Sequence, residues 1–269
     1  MNKAWKNVIG ELAGNRASKP RAEGLTMIID KGLGILRTED LIQTAGEYID
    51  FIKLTFGTSA FYDEELLKKK NMMITSAHID VMPGGTFLEV AVWKGVLEDY
   101  LNKAQELGFS AIEVSDGTID IDIKTRKDII RQALDSGFKV ITEVGKKDPS
   151  DILPKGHIFK LIKEDLETGA FKVIIEAREA GKGVGVFDHQ GNILHQELND
   201  LAAGVDDTNS LIWEAPLRKQ QEELLLLFGI NVNLGNIPPD EILAIEALRQ
   251  GLRGDTLKRA YKADRDRSK

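Results

Sequence analysis

The chain has 269 residues, with 36 Lys and Arg against 43 Asp and Glu, a formal net charge of −7 and 42% hydrophobic residues. That balance can bury a sizeable core and excludes a disordered chain, while the acidic excess argues against a nucleic-acid binder. No run approaches the roughly 18 consecutive apolar residues of a membrane span, Met1–Gly10 has no signal-peptide core, and zero Cys rules out disulfides and thiolate chemistry, all of which fits a cytoplasmic address.

In chain order, residues 1–18 read as an N-terminal arm or extra helix, 19–257 as one folded domain and 258–269 as a solvated tail. Within the domain, eight short apolar runs predict strands: Thr26–Ile29, Ile49–Leu54, Ile79–Met82 (or the preceding Met72–Thr75), Ala111–Val114, Lys139–Thr142, Lys172–Ile175, Ser210–Trp213 and Ile230–Asn233. Their tips recur about every 29 residues, close to the ~30 of a βαβ unit. Between them lie stretches with the apolar period of a surface helix, at Lys94–Leu107, Thr125–Leu134, Leu217–Phe228 and Asp240–Leu252, and Gly108 and Gly137 supply stops after the first two. The strands are continuous rather than alternating apolar runs, as parallel strands covered on both faces are. Eight such units predict a single-domain α/β (β/α)8 TIM barrel, with an open doubly wound sheet as the structural competitor.

In a barrel the residues just past each strand converge on one face. Here these are Asp30 and Lys31; Lys53 with Gly57, Thr58 and Ser59; Gly84, Gly85, Thr86 and Glu89; Glu113, Ser115 and Asp116; Glu143, Lys146 and Lys147; Glu176, Arg178 and Glu179; Glu214; and Asn233 and Asn236. Strand parity puts Glu143 and Lys147 on one face and Lys146 on the other, which makes Lys147 the better candidate for the mouth. Carboxylates at several tips suggest a hard divalent cation such as Mg²⁺, and Lys31, Lys53, Lys147 and Arg178 suggest an anionic substrate. Asn233-Leu-Gly-Asn236 and Gly251-Leu-Arg-Gly-Asp-Thr256, with Arg253, have the composition of a phosphate site near the last strands. Gly181-Lys-Gly-Val-Gly185 has the wrong spacing for a dinucleotide fingerprint and reads as a mobile βα loop. His78, His157, His189 and His195 show no metal-type pairing.

The ordered set of motifs resembles the phosphosulfolactate synthase family. It runs from Lys19-Pro-Arg21 through Asp30-Lys-Gly32, Tyr48-Ile-Asp50, Lys53, Gly57-Thr-Ser59, Pro83-Gly-Gly-Thr86, Glu113-Val-Ser-Asp-Gly-Thr118, Glu143-Val-Gly-Lys-Lys147, Glu176-Ala-Arg-Glu179, Glu214-Ala-Pro216, Gln220-Gln221 and Asn233-Leu-Gly-Asn236 to Leu248-Arg-Gln-Gly-Leu-Arg-Gly-Asp-Thr256. Ala180 departs from the pattern, which leads one to expect Ser there. The resemblance implies a (β/α)8 enzyme that adds sulfite to phosphoenolpyruvate with Mg²⁺, works as a homo-oligomer, and serves sulfonate metabolism such as coenzyme M biosynthesis.

Carried onto this chain, Lys147 is the expected general acid with Lys146 as fallback. Lys31, Lys53, Arg178, Asn233, Asn236 and Arg253 are the expected anion and substrate contacts, and Glu113, Glu143 and Glu176 the expected Mg²⁺ ligands. Two other readings stay open on the residues alone: another enolate-forming lyase on a phosphorylated acid, and a stress-protection or interaction protein that keeps the barrel without turnover.

Overall fold

The structure, a computed structural model, describes residues 4–9, 16–148, 150–151 and 153–267. Eight strands form one parallel sheet: β1 (Thr26–Asp30), β2 (Phe51–Leu54), β3 (Asp80–Met82), β4 (Ala111–Ser115), β5 (Lys139–Val144), β6 (Lys172–Ile175), β7 (Leu211–Glu214) and β8 (Leu234–Ile237). They are ordered β3-β2-β1-β8-β7-β6-β5-β4. The two ends of that order meet, because Ser110 N donates to Val81 O at 3.1 Å and Val81 N to Ser110 Oγ at 3.0 Å. The sheet is therefore a nearly closed (β/α)8 barrel, and the open doubly wound alternative is set aside.

Strand alternation divides the apolar residues into two cores. Met27, Phe51, Met82, Ala111, Ile141, Ile174 and Ile212 cluster in the lumen. The intervening Ile28, Ile52, Val81, Ile112, Val140, Val173 and Leu211 belong to the larger core beneath the helices. Each fully buried aliphatic side chain contributes roughly 1.5–3 kcal/mol, so the two faces together bind every strand into the cylinder.

The helices depart from the sequence reading in specific places. The stretch Lys94–Leu107 holds helix Leu97–Glu106, while Lys94 closes a preceding helix, Gly85–Lys94, from which Gly95 with a left-handed φ of 69° separates it. Met72–Thr75 lies inside helix Glu64–Ser76, whose N-cap Asp63 accepts from Leu66 N, so the alternative third strand falls away. Of the N-terminal 18 residues, Lys6–Ile9 is helical, while 1–3 and 10–15 lie outside the described residues. Residues 258–267 continue helix Gly254–Arg267. Among the described residues no helix is long and apolar enough to cross a membrane.

The last strand sits four residues beyond its expected place. Gly235 and Asn236 are poor strand formers, so β-propensity favours Ile230–Val232 upstream. The lumen dictates otherwise: a Cβ at Gly235 would lie 2.7 Å from Met27 Cε. The register against β1 shifts between Thr26↔Leu234 and Ile28↔Ile237, a bulge at which Asn236 adopts φ 53°. Bulges re-aim side chains, and this one turns Asn236 into the mouth of the barrel.

Candidate active site

One step toward the C-terminal face from the apolar lumen layer, the same parity delivers charge. Ala111 leads to Glu113, Ile141 to Glu143, Ile174 to Glu176, Ile212 to Glu214 and Phe51 to Lys53. Each of the four glutamates is at most 2% exposed, and Lys53 is 7% exposed. They line a cavity of about 400 Å³ together with Lys147, Arg178, Asn236, Gly84, Gly85 and Thr86.

Lys53 Nζ lies 2.9 Å from Glu113, 3.0 Å from Glu143 and 3.3 Å from Glu214. Lys147 Nζ lies 2.5 Å from Glu143 Oε1 and 2.8 Å from Glu176 Oε2. Backbone amides complete the carboxylates: Gly85 N donates to Glu113 Oε1 at 2.8 Å, Arg178 N to Glu176 Oε1 at 2.6 Å and Ala177 N to Glu214 Oε2 at 2.9 Å. The Gly85 contact requires glycine, since a Cβ there would sit 2.5 Å from Ser115 Cβ.

Four buried carboxylates share two lysines, and their proton affinities separate accordingly. Burial opposes charge on Lys53, yet Glu113, Glu143, Glu214 and Glu176 outweigh it and hold the ammonium well above its ordinary range. Lys147 is raised in the same way by Glu143 and Glu176 against burial. Glu143, facing both lysines, is held well below the usual carboxylate range despite its burial. Burial, with Glu143 adding to it, pushes Glu113 up to about 7. Burial and the charges of Glu143 and Glu214 push Glu176 well up.

With all four glutamates ionised they outnumber the two lysines by two negative charges, the amount a divalent cation offsets, and a bound cation would favour that ionised state. Glu143, Glu176 and Glu214 each offer a carboxylate oxygen, all within 4.8 Å of one another. An all-oxygen buried set of this kind suits Mg²⁺, so the residues present fit the ion. Glu214 completes this trio where the sequence reading had Glu113. Its step of two from Ile212 matches that of the other three glutamates, so parity was a signal for it. Glu113 lies in the same cavity, engaged by Lys53 and the Gly85 amide.

The other expected residues divide between the two ends of the barrel. Arg178 takes φ 60° and donates to Lys147 O at 3.3 Å, while its own carbonyl accepts from Asn236 Nδ2 at 3.4 Å. Lys31 stands outside the cavity on the exposed rim, paired with Glu179 at 3.2 Å. Lys146 turns away, donating to Asp116 O at 2.7 Å and Asp120 at 2.8 Å.

Two expectations are corrected. Asn233 precedes β8 at the N-terminal face, where its amide donates to Asn209 O and Leu211 O and accepts from Leu25 N, so its hydrogen-bonding capacity is spent on backbone. Arg253 follows helix Ile242–Arg249, which runs from the C-terminal to the N-terminal face, and pairs with Asp255 at 2.9 Å. Neither reaches the cavity. Gly181–Gly185 is also no loose loop: Val184, Val186, Phe187 and Ile193 are buried, and Gln220 Nε2 donates to Gly181 O at 2.7 Å and Gly191 O at 3.1 Å.

Residues 14–255 match the family model described as (2R)-phospho-3-sulfolactate synthase (ComA). The chain is similar to the phosphosulfolactate synthase of Methanocaldococcus jannaschii, 48% identical over 235 residues that cover 87% of this chain and 93% of that protein. It is also similar to the phosphosulfolactate synthase of Methanothermobacter thermautotrophicus, 42% identical over 253 residues that cover 93% and 98%. Among solved structures, phosphonopyruvate hydrolase superposes with a TM-score of 0.54 over 92% of this chain and 93% of that one, at 14% identity, a likeness of fold alone.

Proposed function

The chain belongs to the phosphosulfolactate synthase family of carbon–sulfur lyases, and from that premise we propose that it adds sulfite to C3 of phosphoenolpyruvate to give (2R)-2-phospho-3-sulfolactate. The observation that carries this reading is the Lys147 ammonium held between Glu143 and Glu176 in the wall of a cavity that a cation would make attractive to anions.

Two anions must meet before the bond forms. Like unit charges ~4 Å apart repel by about 1 kcal/mol in water and about 4 kcal/mol at an effective dielectric of ~20. Lys53, Lys147 and Arg178 lie along the walls where the reactants would sit and reduce that repulsion. Glu143, Glu176 and Glu214 would hold Mg²⁺, which when bound supplies Lewis-acid stabilisation to the substrate carboxylate. The sulfite sulfur lone pair forms the C3–S bond, and the C2–C3 π pair moves toward the carboxylate, giving an aci-carboxylate. Lys147 Nζ then delivers a proton to C2, completing the product, and regains its proton from solvent. Delivery from one fixed side gives the product a single configuration at C2. Asn236, turned inward by the β8 bulge, and Arg178 would orient the substrate's phosphate and carboxylate.

The test is phosphorus NMR of purified protein with phosphoenolpyruvate, sulfite and Mg²⁺, omitting each in turn. A new phosphate-ester resonance that requires all three is expected. Phosphoenolpyruvate left unchanged, under conditions in which a proven synthase consumes it, would overturn the reading.

A further inference from the structure

Glu89, in the second turn of helix Gly85–Lys94, is 2% exposed. A carboxylate placed so deeply needs strong partners, and the hydrogen bonds it accepts come from neutral groups. Thr118 N and Ile119 N donate to Oε2 at 2.9 and 2.8 Å, and Ser115 Oγ lies 3.1 Å from Oε1. The same Ser115 Oγ is 3.0 Å from Glu143 Oε1, receives Gly117 N at 3.1 Å and lies 3.4 Å from Lys147 Nζ.

A hydroxyl has one proton and two lone pairs. Gly117 N and Lys147 take the lone pairs, so Glu89 and Glu143 compete for the single proton. Glu143 already receives Lys53 and Lys147. Glu89 accepts only from neutral donors and draws the proton to itself. Ser115 then presents a lone pair to Lys147, whose Nζ has three contacts: hydrogen bonds to Glu143 Oε1 and Ser115 Oγ, and the charge of Glu176 Oε2 at 2.8 Å.

We propose that Glu89 is a positioning residue which, through Ser115 Oγ, aims the Lys147 ammonium into the cavity. The inference rests on Lys147 as the proton donor of the synthase reading. The Ser115 contact is the longest of the three, and it is the one a substrate carbon displaces when the proton is transferred.

Glu89→Gln tests this. Thr118 N and Ile119 N keep the glutamine carbonyl, so its NH₂ faces Ser115, which must turn its proton onto Glu143 and withdraw the lone pair from Lys147. Expected is a fall in kcat of about ten- to hundredfold, as for other small displacements of a reacting group, with KM for phosphoenolpyruvate unchanged. Ser115→Ala should lose a similar factor, and Glu89→Gln should cost nothing more in the Ser115→Ala background. The proposal is overturned if Glu89→Gln costs the same factor in both backgrounds, or if the loss falls on KM. Should Glu89→Gln not fold, Ser115→Ala decides alone: a wild-type kcat overturns the proposal, and a lowered kcat with unchanged KM and melting temperature supports it. Reductive methylation of Lys147, followed by peptide mass spectrometry, gives a readout independent of turnover. Faster labelling in both variants supports the aiming contact even if the wild type makes no phosphosulfolactate, and unchanged labelling overturns it.

Discussion

The two mouths of the barrel carry similar residue types in opposite arrangements. At the N-terminal mouth each acid meets one base, Arg21 with Asp50 at 2.8 Å, Lys139 with Asp80 and Arg16 with Glu246 at 3.2 Å, while Lys19 and Arg249 are satisfied by backbone carbonyls such as Gly46 O and Val232 O. At the C-terminal mouth Lys53 and Lys147 are contested by four glutamates, and Glu143 answers to both lysines. Paired charges satisfy one another and fix the fold. Contested charges leave a carboxylate excess that a cation, or proton uptake by Glu113 and Glu176, relieves. The difference lies in how partners are shared rather than in burial, since acids are buried at both ends.

The sharpest way to test that division is to remove one charge from each end. Lys147→Ala should lower kcat by about 10²–10⁴, the usual weight of a general acid, in protein that is still folded at the assay temperature; a steady-state synthase assay beside thermal unfolding separates lost chemistry from lost fold. Arg21→Ala should do the reverse. It leaves Asp50 buried without its guanidinium, at a cost of about 3–5 kcal/mol in urea unfolding, with kcat and KM intact in the folded fraction. Glu214→Gln should weaken Mn²⁺ binding, followed by electron paramagnetic resonance, by about tenfold or more; full affinity would remove Glu214 from the cation site.

A smaller effect separates the ends by pH. Burial pushes the Glu246 carboxyl up, but Arg16 outweighs it and holds the group below its ordinary range. A carboxyl lowered by folding adds stability above its unfolded value, about 4.3 for Glu, and that stability is lost as pH falls through the folded value. The difference in urea midpoint between wild type and Glu246→Gln should therefore shrink as pH falls below about 4. The smallest expectation is none at all: Arg253→Ala should leave KM for phosphoenolpyruvate unchanged, because the residue sits at the opposite end from the cavity.

Much of this molecule was legible in its sequence because parallel strands buried on both faces write themselves as apolar runs. The steps from Ile141 to Glu143 and from Ile174 to Glu176 carry lumen parity, and the side chains of Lys146 and Lys147 separate as that parity requires. Legibility failed where one residue answered to a distant neighbour. Gly235 is glycine because Met27, over 200 residues away in the chain, fills its lumen position, and propensity placed the strand on Ile230–Asn233 instead. Asn233 and Arg253 looked like ligand contacts by composition, but which end of the barrel they occupy depends on where β8 starts and where the last barrel helix ends. Glu89 and Ser115 appeared only as charged or polar tips, because a shared hydroxyl proton is a property of three-dimensional distances.

The strand order has a consequence for how the chain is made. β1 pairs with β2 and β8, and the contact that docks it to the end of the chain, Leu25 N to Asn233 Oδ1, spans 208 residues. β3 and β4, neighbours along the chain, meet at a short seam where Ser110 bonds Val81 and Asp80. On the ribosome β1, β2 and β3 can pair with one another as they emerge, but β8, the other neighbour of β1, is synthesised last, and such distant pairing is slow and leaves an apolar edge waiting. The first third of the barrel must remain unsealed until the last strand has emerged, so the cavity that β2 shares with β5, β6 and β7 is completed only near the end of synthesis.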